Sequence, residues 1–336
     1  MAHGVVMSSR VRLARNYADI PFDTSHREEQ AARSIARTAN AVKLVPEGEG
    51  MVLLRLRDLN DIALKALEES RWISRDLLKH PETTAVMLRE EDGVSIMLNE
   101  DDHVRIQAAT PGLDLLAASA GCFRMEDALA RQVSFAYDEN LGYLTACPTN
   151  AGTGMRASVV MHLPMLNREK QMGNVAQMLT KIGLTIRGVY GEGAEALGDV
   201  YQVSNQAALG RTEQDLLRMV QAAGEQLTGM ERALREKAMA NNRLDLEDGV
   251  FRAWGVLRYA RVLPMGEMFR HWSQVRMGAA MGLLPVELPV VDETLEQALP
   301  GHLAQWAERP LTGRKQDEVR AQRVRAMLRL TSKAGA

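Results

Sequence analysis

The chain changes texture once, near Thr212, and that change limits the folds open to it. Ahead of it, short apolar segments at 51–56, 85–89, 94–99, 104–108, 158–163, 184–190 and 200–204 read as strands, mixed with helical patterns at 30–42, 59–67, 70–78 and 113–132. Glu91-Asp92-Gly93 turns the 85–89 and 94–99 segments into a hairpin. Behind it, apolar residues recur at helical spacing in 212–239, 247–262, 266–281, 294–307 and 317–330, punctuated by Pro285, Pro289, Pro300 and Pro310. Thr212-Glu-Gln-Asp215 resembles a capping box opening the first of these helices. A length of 336 residues allows roughly two domains, and the boundary is expected at 205–215.

Composition narrows the function by exclusion. A net charge of −2 and 4% aromatic residues argue against a nucleic-acid or membrane partner. Only Cys122 and Cys147 are present, so no disulfide framework is expected and a reducing cytoplasm is favoured. No apolar run approaches the roughly 18 residues of a spanning helix, and the first residues lack the pattern of an export signal.

Four groups of residues carry chemistry. In Cys147-Pro-Thr-Asn-Ala-Gly-Thr-Gly-Met-Arg156, a thiol that could hold a guanidinium as a thiolate, glycines that let backbone N–H groups approach an anion, and an arginine stand together. Alone, this stretch fits a buried cysteine beside an ordinary turn equally well. Arg10 and Arg12, at period two on an extended segment, point the same way and need an anion between them. Arg105, Arg156 and Arg187 add further cations. Glu100-Asp101-Asp102 sets three carboxylates in a row, able to orient or deprotonate a guanidinium, or else a solvated acidic turn. Gly188-Val-Tyr-Gly-Glu192-Gly-Ala-Glu195 reads as a glycine-rich acidic flap or a plain loop. No Walker A sequence, no protein-kinase signature and no metal-ligand spacing is found.

Taken together and in order, these segments resemble the phosphagen (guanidino) kinase family, most of all its bacterial branch acting on arginine in proteins. The stretches Ser8–Arg15, Asn99–Arg105, Cys147–Ser158, Arg187–Gly198, Tyr201–Gln206 and Leu209–Glu213 carry the match. The resemblance implies an α+β fold: an antiparallel sheet flanked by helices as catalytic domain (1–210), then an all-helical domain (211–336) for dimerisation and substrate or phosphoarginine binding. It implies ATP and Mg²⁺ as co-reactants. Arg10, Arg12, Arg105, Arg156 and Arg187 match the phosphate-binding arginines, Asp101 and Glu192 the carboxylate pair that grips the guanidinium, and Cys147 the cysteine that contacts it. Asp101 stands where glutamate is usual, one methylene shorter. The helical domain that metabolite-directed members carry ahead of the first arginine motif is expected to be missing.

The branch also bears a C-terminal motif that reads phosphoarginine. Its match here is Gln316-Asp317-Glu-Val-Arg320-Ala321, with Gln316 replacing an arginine and Asp317 and Arg320 retained. Implied partners are proteins with exposed arginine, an activator protein, a Clp-type unfoldase, a transcriptional repressor as substrate in a stress response, and a second copy of the chain. Two alternatives stay open: a kinase for a free small guanidino compound, and a weakly catalytic adaptor that binds phosphoarginine.

Overall fold

The computed structural model describes residues 4–22, 27–191 and 196–330. Among these residues ten strands form: β1 (Val6–Arg15), β2 (Val52–Arg55), β3 (Ala85–Arg89), β4 (Val94–Leu98), β5 (Val104–Pro111), β6 (Tyr137–Asp138), β7 (Gly142–Tyr143), β8 (Met155–His162), β9 (Leu184–Gly188) and β10 (Val200–Asn205). Eight of them make one sheet in the order β2-β3-β4-β5-β1-β8-β10-β9, antiparallel at every pairing, while β6 and β7 form a separate ribbon.

Alternation along the strands sorts side chains to two faces. Val11, Leu13, Ile106, Ala108, Ala157, Val159 and Val203 point to one face. There α1 (Glu28–Lys43), α3 (Leu115–Ala130), α5 (Met172–Lys181) and α6 (Glu213–Asn241) bury them in a single core. Among the described residues, the other face is covered at its two ends. Over β3 and β4, α2 (Asp61–Glu69) and the chain around it pack Leu56, Ile73 and Leu77 on Val86, Leu88 and Met97. Over β8 and β10, α7 (Arg243–Tyr259), α8 (Met265–Ala280), α9 (Leu288–Gln297) and α11 (Gly313–Leu330) gather around Trp272, against Val160 and Val200. Trp272 is fully buried, and its indole N–H donates to Val291 O at 2.8 Å. Two further helices, α4 (Pro164–Arg168) and α10 (Pro300–Trp306), bridge these layers.

Most expected elements form within a few residues of their predicted ends, and three differ. The 70–78 segment is not a helix: the chain breaks at Arg71, whose φ is +62°, and regains only a short 3-10 turn at Asp76–Lys79. The single helix expected over 294–307 is two, α9 and α10. Pro300 has no N–H to donate, and the extended Leu299 before it (ψ 153°) starts a new helix. Helices α4 and α5 fill the 164–181 stretch, too short in period to be read beforehand. From Thr212 the described chain is helical, and the Thr212 hydroxyl accepts from Asp215 N as a cap. By packing, however, α6 still belongs to the sheet: Leu216, Val220 and Leu227 lie in its core.

The joint between α6 and β8 is ionic. Glu231 is fully buried; its carboxylate takes the Met165 and Leu166 N–H groups at the start of α4 and the Arg235 Nε–H at 2.8 Å. Arg235 in turn donates to His162 O. Glu231→Ala strands a buried guanidinium and two backbone donors, and is expected to cost about 3–5 kcal/mol in denaturant melts. Glu231→Gln, which keeps an acceptor, should cost measurably less; equal stability of all three proteins would contradict this account.

Candidate active site

The five predicted arginines share one face of the sheet, because each sits out of phase with its core-facing neighbours: Arg10, Arg12, Arg105 and Arg156 on its uncovered middle strands, and Arg187, exposed, on the edge strand β9. Arg12 and Arg156 are direct cross-strand partners; Arg10 faces Ser158, Arg105 faces Ala14, and Arg187 on β9 faces Gln202. Like charges placed opposite one another repel. Burial, then Arg71 and Arg12, hold Arg10 well below the usual guanidinium pKa. Burial and Arg156 bring Arg12 down to about 10. Burial, with Arg12 and Arg156 adding, brings Arg105 down to about 9. Arg156 is lowered by burial and by Arg187. Arg12 Nε is buried with no hydrogen-bond partner, and no hydrogen bond or ion pair joins Arg10, Arg12, Arg156 or Arg187 to a described residue. Guanidiniums that keep their charge under these conditions call for an anion of matching length. A polyphosphate is such an anion.

The acidic run is a turn between β4 and β5, not a strand. Asn99 takes φ +59° and its N–H donates to His103 O. The three carboxylates therefore diverge. Glu100, 1% exposed, turns inward to pair with Arg105 and accepts from the Ser74 hydroxyl. Asp101, 59% exposed, stands 3.9 Å from the Arg105 guanidinium and faces outward. Asp102 is buried and accepts from Asn16 Nδ2 at 2.6 Å and from Ala146 N at 2.7 Å. Burial raises its pKa against those two bonds. His103 pins the turn: Nδ1 accepts from Tyr17 N and Nε2–H donates to Pro21 O, which fixes the neutral tautomer, and burial lowers its pKa. The sequence reading missed Glu100 as the counter-ion of Arg105, because alternation on a strand would place it on the far side.

Cys147 and Arg156 flank a loop whose glycines serve packing. Gly154 has φ +63°, and a Cβ there would meet Arg15 Nη1 at 2.5 Å and Ala14 O at 2.6 Å. Its closeness lets Ala14 N donate to Gly154 O, while Arg15 Nη1 holds Thr153 O. Arg15 is itself buried, bound to Glu126 at 2.6 Å and lying 3.5 Å over the Tyr143 ring. That network, which the sequence reading left without a role, clamps the loop on β1. Gly154 does line the arginine groove together with Arg12, Arg105, Asn150 and Arg156. The Cys147 thiol lies 3.0 Å from the Thr149 hydroxyl.

Beyond Arg105 the groove opens into a cleft of about 590 Å³ lined by Asp76, Lys79, His80, Glu100, Asp101 and Cys147. The structure thus brings Asp101 and Cys147 together at one end of the arginine strip. Glu192 lies outside the described residues. Asp317 and Arg320 sit apart from the groove, on α11. Arg320 is buried; it donates to Ala298 O, Leu263 O and Asp317 Oδ1, the last at 2.5 Å. Burial lowers its pKa and Asp317 opposes the shift. The pair ties α11 to the connection between α7 and α8 and to the end of α9, and Gln316 Nε2 donates to Leu311 O.

The ATP:guanido phosphotransferase C-terminal catalytic domain matches residues 34–234, which defines the class of enzyme. Arg10 and Arg12 lie ahead of that match. The protein-arginine kinase McsB C-terminal domain matches residues 243–335. A protein-arginine kinase of Caldanaerobacter subterraneus subsp. tengcongensis is 38% identical over 330 residues, covering 96% of this chain and 97% of the relative. One from Geobacillus stearothermophilus is 39% identical over 332 residues, covering 98% and 92%. The chain belongs to the protein-arginine kinase family. Among solved structures, the duplicated taurocyamine kinase from Schistosoma mansoni with bound transition state analog components aligns with TM-score 0.63 at 25% identity, over 73% of this chain and 36% of that one. Lombricine kinase aligns with TM-score 0.60 at 25% identity, over 69% and 68%.

Two expectations follow. Asp101→Asn replaces the exposed carboxylate of the cleft with an amide that cannot take a proton and is expected to lower kcat roughly 10²–10⁴-fold, while Asp101→Glu retains or raises it; steady-state kinetics with near-normal turnover of Asp101→Asn would exclude the residue. Arg320→Ala leaves two buried carbonyls unpaired and should cost about 2–4 kcal/mol in thermal or urea melts. Unchanged stability would show that the guanidinium is free to serve a ligand.

Proposed function

We propose that the chain transfers the γ-phosphoryl group of ATP to the guanidinium of arginine side chains in proteins, with Arg10, Arg12, Arg105, Arg156 and Arg187 as the phosphate-binding residues. The observation that carries the reading is the strip of half-buried, mutually repelling guanidiniums that runs along β1 and ends at Asp101 and Cys147. Because Arg105, Asp101 and Cys147 share one end, the terminal phosphate lies there and the rest of the nucleotide extends past Arg12 toward Arg10. The substrate guanidinium enters from the cleft, whose exposed walls leave room for the polypeptide that bears it.

In the transfer, the bond between the γ-phosphorus and the ADP oxygen breaks and a phosphorus–nitrogen bond forms. The arginines absorb the charge spread over the phosphoryl oxygens. Asp101, and Glu192 by resemblance, hold the attacking nitrogen in line and take its proton; Cys147 bounds the guanidinium on another side. Glu100 keeps Arg105 aimed. Mg²⁺, bound together with the nucleotide, would neutralise phosphate charge. Among the described residues no group of three or more acidic, histidine or cysteine side chains is placed to hold a metal ion by itself.

We extend the same reading to the rest of the protein. It comprises a catalytic unit ending near 210 and a helical unit after it that serves dimerisation. Asp317 and Arg320 contribute to phosphoarginine recognition, an activator regulates the kinase, and phosphorylated clients, including a transcriptional repressor, pass to a Clp-type unfoldase in the cytoplasm. No helix among the described residues is long and apolar enough to cross a membrane.

Incubation of the full chain with ATP and Mg²⁺, offered either an unfolded protein or free arginine, separates the readings. Acid-labile phosphate on protein arginine, with free arginine a poor acceptor, is expected. Phosphorylation of free arginine alone would favour a metabolite kinase, and no transfer to either would favour an adaptor.

A further inference from the structure

Aromatic residues make up 4% of the chain, yet two of its six tyrosines, Tyr137 and Tyr143, face each other on the β6–β7 ribbon. Their rings meet edge to face with 5.2 Å between centroids. Tyr137 is 60% exposed, and Leu141, in the turn between the two strands, is 51% exposed. Leu209, also 51% exposed, lies alongside. Gly152 bridges to Gly142 and Tyr143, and a Cβ on Gly152 would meet Leu209 Cα at 3.0 Å. Tyr137, Leu141 and Leu209 thus form one apolar surface at the ribbon.

The ribbon stands outside the main sheet but is fixed at its base and at its tip. Ala136 N donates to Asn16 O at 2.7 Å, Leu144 N to Ala136 O at 3.0 Å and Tyr143 N to Gly152 O at 2.8 Å. Asn16 Nδ2 donates to Leu144 O, and Asp138 closes the turn by accepting from the Asn140 and Leu141 N–H groups. Large apolar side chains held in water in this way are unfavourable until something covers them, and a tyrosine fixed beforehand loses little entropy when it is covered. The same stretch of chain leads into the transfer cleft. From Tyr143 it passes through Leu144 and Thr145 to Ala146, Cys147 and Pro148, which line the cleft, and Ala146 N donates to Asp102 in the acidic turn. The step from Tyr143 to Cys147 spans at most about 14 Å, which an extended polypeptide covers with about four residues. A protein segment with its arginine in the cleft therefore reaches the ribbon with side chains a few residues away.

We propose that the β6–β7 ribbon, with Leu209, is a docking surface for the client polypeptide, and that it takes a large apolar or aromatic side chain about three to six residues from the arginine that is phosphorylated. Such side chains are covered in most folded proteins and free in extended segments, so the surface selects which arginines are offered to the cleft. The inference rests on the reading of Asp101 and Cys147 as the transfer site, and the test separates the two.

The test is steady-state phosphorylation, with ATP and Mg²⁺, of peptides that carry one arginine in a glycine–serine background, either plain or with a leucine or tryptophan three to six residues to either side. The full chain is compared with Tyr137→Ser, Leu141→Ser and Leu209→Ser, and thermal melts confirm folding. Burial of one large apolar side chain predicts that the parent favours the best apolar peptide over the plain one about 10- to 100-fold in kcat/KM, through KM and not kcat. The three variants should lose most of that preference while phosphorylating the plain peptide as the parent does. A parent without preference, or a preference that survives in all three variants, overturns the proposal and leaves the transfer site intact. Variants that lower kcat for the plain and apolar peptides alike make the ribbon a structural support of the cleft, against the proposal. Variants that change only the self-association of the chain, measured by light scattering, make a second copy the occupant, also against it. Absence of transfer from the parent to any arginine peptide overturns the reading of the transfer site itself.

Discussion

Repulsion among guanidiniums on one face of a sheet is the constraint around which this protein is organised. A cross-strand Arg12–Arg156 pair, with Arg10 and Arg105 on either side, is unfavourable in the absence of an anion. The sheet tolerates it because its other face carries a largely apolar core, which supplies the free energy of folding without help from the arginine side. The covers at both ends leave the strip open while removing much of its water. Helix α2 and its neighbours shield one bank, and the helices around Trp272 shield the other. Stability and ligand attraction are thereby assigned to opposite faces of the same strands.

Much of this was legible in the sequence because period two survives from Ser8 onward along β1 and its partners β5 and β8. Arg10 and Arg12, two apart, announce a shared face, and Val11 and Leu13 between them announce the core. The two-part texture is also read directly, since helical spacing after Thr212 is unbroken by strand alternation. Packing was not legible there: nothing local to Leu216 or Val220 says that α6 lies against the sheet and not with the helices that follow.

The site was read less completely than the fold, for a physical reason. Sequence periodicity describes regular backbone, and the decisive residues stand where the backbone is irregular. Glu100, Asp101 and Asp102 take separate directions because Asn99 enters the left-handed region, which no pattern of acidic residues reveals. Arg71 occupies the same kind of position, inside a stretch whose apolar spacing reads as helix. Arg15 carried no assigned role in the sequence, and its bonds to Glu126 and Thr153 make it part of the scaffold. The spacing of Asp317 and Arg320 places them on one helix face. Only the fold shows that Arg320 spends its hydrogen bonds on Leu263 and Ala298.

The unpartnered Arg12 Nε has a consequence for the protein in solution. In the proposed reading, small abundant anions such as phosphate, sulfate or citrate relieve the same repulsion that ATP relieves and bind the folded chain in preference to the unfolded one. Such ions act at once as stabilisers and as competitors of the nucleotide. The buffer thus becomes a thermodynamic participant: conditions that make the protein most durable in storage are those in which its apparent affinity for ATP is lowest.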